Sequence, residues 1–119
     1  MAFGTKTFSY KFIRTFTEPL ETESKGLAYS VETAMKGINN ADDKIRRSTH
    51  TMRSHMDDID RHLAAGYSIS ELYTSALVDL NTAITARTTY WEILNVALTE
   101  PQMTEVRDYL AASDVRKEA

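Results

Sequence analysis

Residues 24–66 read SKGLAYSVETAMKGINNADDKIRRSTHTMRSHMDDIDRHLAAG. Within this stretch Val31, Ile38, Ile45, Met52 and Ile59 recur every seven residues, and Leu27, Ala34, Ala41, Ser48, His55 and His62 recur between them at the same interval. Such a repeat lays an a/d seam of coiled-coil type along one edge of a helix. The spacing predicts one long helix from near Ser24 to Gly66, with a narrow edge suited to pairing with other helices rather than to lining a pocket. Gly37 with Asn39-Asn40 is where a kink is expected. The heptad phase runs unbroken across it, which argues that the helix continues.

Ala64-Ala65-Gly66-Tyr67-Ser68 punctuates the chain. Gly66 can take the left-handed conformation after a helix end. Ser68 and Glu71 form a capping box that opens a second helix, from Ile69 to about Leu98. Its wide apolar face includes Tyr73, Ala76, Leu77, Leu80, Ala83, Ile84, Trp91, Leu94 and Leu98. Thr99-Glu100-Pro101 stops it, and Pro101 suits the first turn of a short last helix to about Ala112. That helix has Met103, Val106, Tyr109 and Leu110 on one side. Residues 113–119 are polar and expected to be a flexible tail. A short turn makes the two long helices antiparallel neighbours, with residues whose numbers sum to about 134 side by side. Trp91 then falls near Asp43, Arg87 near Arg47 and Ser48, and Asp79 near His55.

Upstream, residues 5–16 read TKTFSYKFIRTF. Phe8, Tyr10, Phe12 and Phe16 share one parity, which suits a strand. Phe8, Phe12, Phe16 and Leu20 also stand four apart, which suits a helical stripe. The β-formers favour an extended arm over residues 1–18, and Pro19 marks its end by disfavouring helix at Glu18. Phe3, Phe8, Tyr10, Phe12, Arg14 and Phe16 are the interaction residues expected of this arm. The arm has no partner strand in its own chain, so it is expected to dock on a neighbour.

The fold class that follows is all-α: a long antiparallel helical hairpin over residues 19–112 with a short third helix, plus the N-terminal arm and the tail. A chain of 119 residues is one domain on length grounds. It has no cysteine, which excludes disulfides, thiolate metal sites and a cysteine nucleophile. No apolar run approaches the roughly 20 residues of a membrane span, and the N-terminal residues lack the apolar segment of a signal peptide. The expected setting is intracellular and soluble, or incorporated in a particle. Residues 1–16 carry Lys6, Lys11 and Arg14 and no acid, whereas the remainder holds 11 basic and 17 acidic side chains, net −6. The head of one chain and the body of another are therefore electrostatically complementary.

Candidate chemistry is sparse. His55, Asp58 and His62 share a helical face, but the histidines lie two turns apart, about 10 Å along the axis. One metal ion is poorly served by that spacing, and these residues read better as polar seam positions that fix register. Arg87 interrupts the apolar face of the second helix. Either a carboxylate such as Asp42 or Asp43 satisfies it, or its stem lies on the seam while its head reaches water. Lys44, Arg46, Arg47 and Arg53 are interleaved with Asp42, Asp43, Asp57, Asp58 and Asp60, so the local field is mixed and nucleic-acid binding is disfavoured. Phosphate-binding glycine loops, nucleophile elbows and zinc-protease motifs are missing from the sequence.

The expected function is that of a non-enzymatic structural or assembly subunit, without cofactor or metal, that forms a homo-oligomer, dimer or larger. Its helix seam comprises Val31, Ile38, Ile45, Met52, Ile59, Leu80, Ile84, Trp91 and Leu94. A component of a large particle, such as a virion or secretion apparatus, would have this design. The alternative is a small regulatory or inhibitory protein that binds a partner enzyme through a helix face.

Overall fold

The computed structural model describes residues 7–118, apart from the side chains of residues 69, 72 and 113–118. Among the described residues it is all helical, with no strand: α1 (Tyr10–Glu21), α2 (Lys25–Asp57), α3 (Ile59–Ala64), α4 (Ile69–Ala97) and α5 (Glu100–Glu118). The long helices α2 and α4 pack against each other most extensively, and α1 packs on α2. The molecule measures 61 × 32 × 19 Å. The all-α hairpin expected from the heptad is therefore present.

Each boundary has a local cause. Ser9, Ser24 and Ser68 cap α1, α2 and α4, accepting from the backbone N–H of Phe12, Leu27 and Glu71. The Ser68–Glu71 capping box is reciprocal, at 3.1 and 3.3 Å. A second box opens α5. The Thr99 hydroxyl accepts from Gln102 N–H, and Gln102 Oε1 accepts from Thr99 N–H at 2.8 Å. At the hairpin tip Gly66 has φ 92°. Gly66 N–H donates to Leu63 O and Tyr67 N–H to His62 O, which is the Schellman closure of a helix end.

Four expectations need correction. The extended arm over residues 1–18 is not what Tyr10–Glu21 forms: it is helix α1, with Ile13, Phe16, Thr17 and Leu20 buried. The four-residue apolar stripe wins because one helical face can bury all of these at once, whereas a lone strand leaves its backbone groups unpaired. Residues 1–6, including Phe3, lie outside the described residues. Pro19 does not end the segment before it but sits in the last turn of α1, and the chain breaks at Thr22–Ser24. The long helix is interrupted at Asp58 rather than Gly37. Asp58 has φ −105° and ψ 20°, yet its N–H and C=O still bond to Ser54 and His62, so the interruption is one residue wide. Finally, residues 113–118 continue α5 instead of forming a separate tail.

The hairpin register is shifted by five to seven residues, about one and a half to two turns, from the sequence expectation. Arg87 meets Asp42, and Tyr90 lies over Gly37. The Schellman closure, which folds Tyr67 back towards His62, shifts α4 in this sense. Gly37 is buried, and a Cβ there would collide with the Tyr90 ring. Gly37→Ala is accordingly expected to destabilise by about 1–3 kcal/mol through overpacking, despite the gain of about 1 kcal/mol in helix propensity. In a Tyr90→Ala background the same change should stabilise. Thermal denaturation of the four proteins checks this, and a stabilising Gly37→Ala in the wild-type background would refute it.

Candidate interaction surfaces

Burial divides the hairpin into two parts. At one end α1, the first half of α2, the last turns of α4 and α5 enclose a core that includes Phe8, Phe16, Val31, Met35, Ile38, Leu94 and Val106. We call this the head. Beyond Asp42 in α2 and before Arg87 in α4 the two helices run on as a stalk with no third layer among the described residues. Among the described side chains there, only Ala76 and Ala83 are buried. Small residues at these points let the helices approach closely but supply little core.

The head is closed by the chain entering it. Phe8 is fully buried, against Phe12, Trp91 and Tyr109 at ring separations of 6.0, 5.9 and 6.3 Å. Its backbone is held by the buried Asn39 of α2. Phe8 N–H donates to Asn39 Oδ1 at 2.7 Å, and Asn39 Nδ2 donates to Phe8 O at 2.9 Å. On either side, the Thr7 hydroxyl donates to Asp42, and Ser9 N–H donates to Tyr109 OH at 3.1 Å. This clamp was not legible in the sequence, where Asn39 marked only a kink. Asn39→Ala leaves two buried backbone groups without partners, at about 1–3 kcal/mol each. A loss of about 2–6 kcal/mol in urea denaturation is expected, whereas Asn40→Ala, on an exposed position, should fall within about 0.5 kcal/mol of wild type.

The residues expected in the interaction arm are therefore split. Phe8 and Phe16 are core, Phe12 is half-buried, and Tyr10 and Arg14 are exposed. Arg14 donates to Tyr10 OH at 3.2 Å and lies 3.6 Å from Glu18. The Tyr10 hydroxyl, then the Glu18 carboxylate, raise its pKa above the ordinary arginine value, so it stays cationic. The seam residues also divide. Val31, Ile38 and Leu94 are buried in the head and Trp91 is half-buried there. Ile45, Met52, Ile59 and Leu80 are half-buried in the stalk, and Ile84 is exposed.

Two clefts flank the stalk on opposite sides. One, of about 400 Å³, is polar, lined by Lys44, Arg47, Ser48, Thr51, His55, Asp79 and Thr82 among others. Its charges are partly neutralised internally, with Arg47 on Asp43 at 3.0 Å. His55 and Asp79 both line this cleft, though the shifted register does not set them directly opposite. The His55 and His62 rings lie 5.3 Å apart edge to face, closer than their two-turn spacing suggests. No third ligand joins them in a metal-binding group among the described residues. The other groove is apolar, lined by Thr49, Met52, Arg53, Met56, Asp57, Tyr73 and Leu80. Arg87 bridges stalk and head: half-exposed, its Nε lies 3.0 Å from Asp42 in an ion pair, the carboxylate partner that the sequence offered for it.

Among the described residues no helix is long and apolar enough to cross a membrane. Comparison with protein-family models, curated proteins and solved structures returns no match to this chain.

Proposed function

We propose that this protein is a non-enzymatic assembly subunit that associates with other chains through the apolar side of its stalk. One observation carries the reading. On α4, Tyr73, Leu77, Leu80, Ile84, Trp91 and Leu98 follow helical spacing along one side. At the head end of this stripe Leu98 is buried and Trp91 is half-covered by Phe8. Along the stalk the same stripe is only partly covered: Tyr73 and Leu80 are half-buried, and Leu77 and Ile84 are 42% and 45% exposed. An apolar side that continues beyond its own chain's covering layer is the pattern of a helix bundle completed by a partner. Arg87, which interrupts the stripe, is ion-paired with Asp42. A structural component of a large particle, such as a virion or secretion apparatus, is the setting such a subunit fits. Sedimentation equilibrium of the purified chain at tens of micromolar should give a dimer or larger defined species. A monomer there would overturn the reading.

A further inference from the structure

The geometry points to a second copy of this chain as the occupant of the apolar groove, with the two stalks packed antiparallel about a two-fold axis near Met56. The inference deepens the assembly reading and rests on it. It names the surface, the partner and the orientation.

Self-complementarity carries the argument. The groove between Met52, Met56, Tyr73 and Leu80 lies at mid-stalk. Towards the head it continues into Ile45 and Ile84, and the stalk tip presents exposed Leu63 and Tyr67. Reversing one stalk on another about Met56 brings the apolar tip of each copy, where Tyr67 lies level with His62, over the Thr49–Leu80 end of the other's groove, and the Met56 side chains together at the centre. The groove is then covered by an identical surface, as an isologous interface requires.

Charge selects the antiparallel arrangement. Arg53 and Asp57 both line the groove, on its α2 edge, and Asp60 follows towards the tip. A two-fold across the stalks sets α2 against α2 of the other copy, with Arg53 facing Asp57 and Asp60 on both sides of the axis. A two-fold along the stalks would set α2 against α4 instead. The only charged residues of α4 between Glu71 and Glu92 are Asp79, which lines the opposite cleft, and Arg87, already on Asp42. The parallel pair therefore gains no charge pairing.

The size is sufficient. The overlapped stalk, from Arg47 to Ala65, rises about 27 Å, and two helices side by side are about 20 Å wide. That gives a face of about 540 Å² per copy and about 1,080 Å² in total, just above the roughly 1,000 Å² that a specific interface should clear.

The test uses the full chain. Met56→Asp and Leu77→Asp should each convert the dimer to monomer at ten micromolar, while Val96→Asp, 88% exposed and off the stripe, should not. Arg53→Asp should weaken the dimer about tenfold, and adding Asp57→Arg should restore it. Because the chain lacks cysteine, single spin labels can be placed at Ser54→Cys, near the axis, and Ala65→Cys, at the tip. Each residue of distance from the axis adds about 3 Å to the separation along the stalk, so the tip pair should lie farther apart by about 10 Å or more. Equal separations would mean a parallel pair and overturn the inference while the assembly reading stands. So would a dimer that survives Met56→Asp and Leu77→Asp. A wild-type monomer would overturn both.

Discussion

Val31→Asp should abolish cooperative folding, while Met52→Asp, three heptads along the same helix, should leave the isolated chain melting within a few degrees of wild type. On the seven-residue repeat alone the two positions are equivalent. In the structure they are not. Val31 is fully buried between α1, α2 and α4, and no cation is available in that cluster. A carboxylate there forfeits about 1.5–3 kcal/mol of burial and adds about 3–5 kcal/mol for an unpaired buried charge. Together these approach the whole stability of a chain this size, about 5–15 kcal/mol. Met52 is half-buried at the edge of an open groove, where a carboxylate reaches water at a cost of about 1 kcal/mol or less. Circular dichroism at low micromolar concentration separates the two outcomes. Equal losses would mean that the stalk and the head fold as a single core. The association measurement, not the melting curve, is where Met52→Asp should tell.

The contrast shows what the sequence could disclose. Helix type, the hairpin turn and both ends of α4 were legible because they depend on neighbours in sequence: the heptad, Gly66, the Ser68–Glu71 box, and Pro101 at the start of α5. The covering layer was not legible, because the same residues Phe8, Phe12 and Phe16 satisfy period two and period four. What decided between them is tertiary. The α2 surface around Val31, Met35 and Ile38 offers a broad apolar bed on which a helix can lay its stripe. Asn39 then accepts and donates to the one residue, Phe8, whose backbone would otherwise be orphaned there. The candidate surface was half legible. The spacing from Val31 to Ile59 is legible in the sequence, yet where its own chain stops covering it depends on the length of α1 and α5, which no periodicity encodes.

Deleting residues 2–16 should therefore unfold the chain rather than merely weaken its assembly. The deletion removes Phe8, Ile13 and Phe16, all at or below 7% exposure, from the head core. Each contributes roughly 1.5–3 kcal/mol of burial, so the loss is about 5–9 kcal/mol before the exposed remainder of the core is considered. It also strips the partners from Asn39 and leaves Asp42 with Arg87 alone. The truncated α2 and α4 would retain helical propensity, so far-ultraviolet dichroism could remain helical. The loss should appear instead as a broad, low-temperature transition and rapid proteolysis between Ser24 and Ala41. An N-terminal arm that served only to capture a neighbour would give the opposite result, a sharp melt near that of wild type with assembly lost. That result would mean α1 docks on other chains, and that the packing of Phe8 between Trp91 and Tyr109 is dispensable for the monomer.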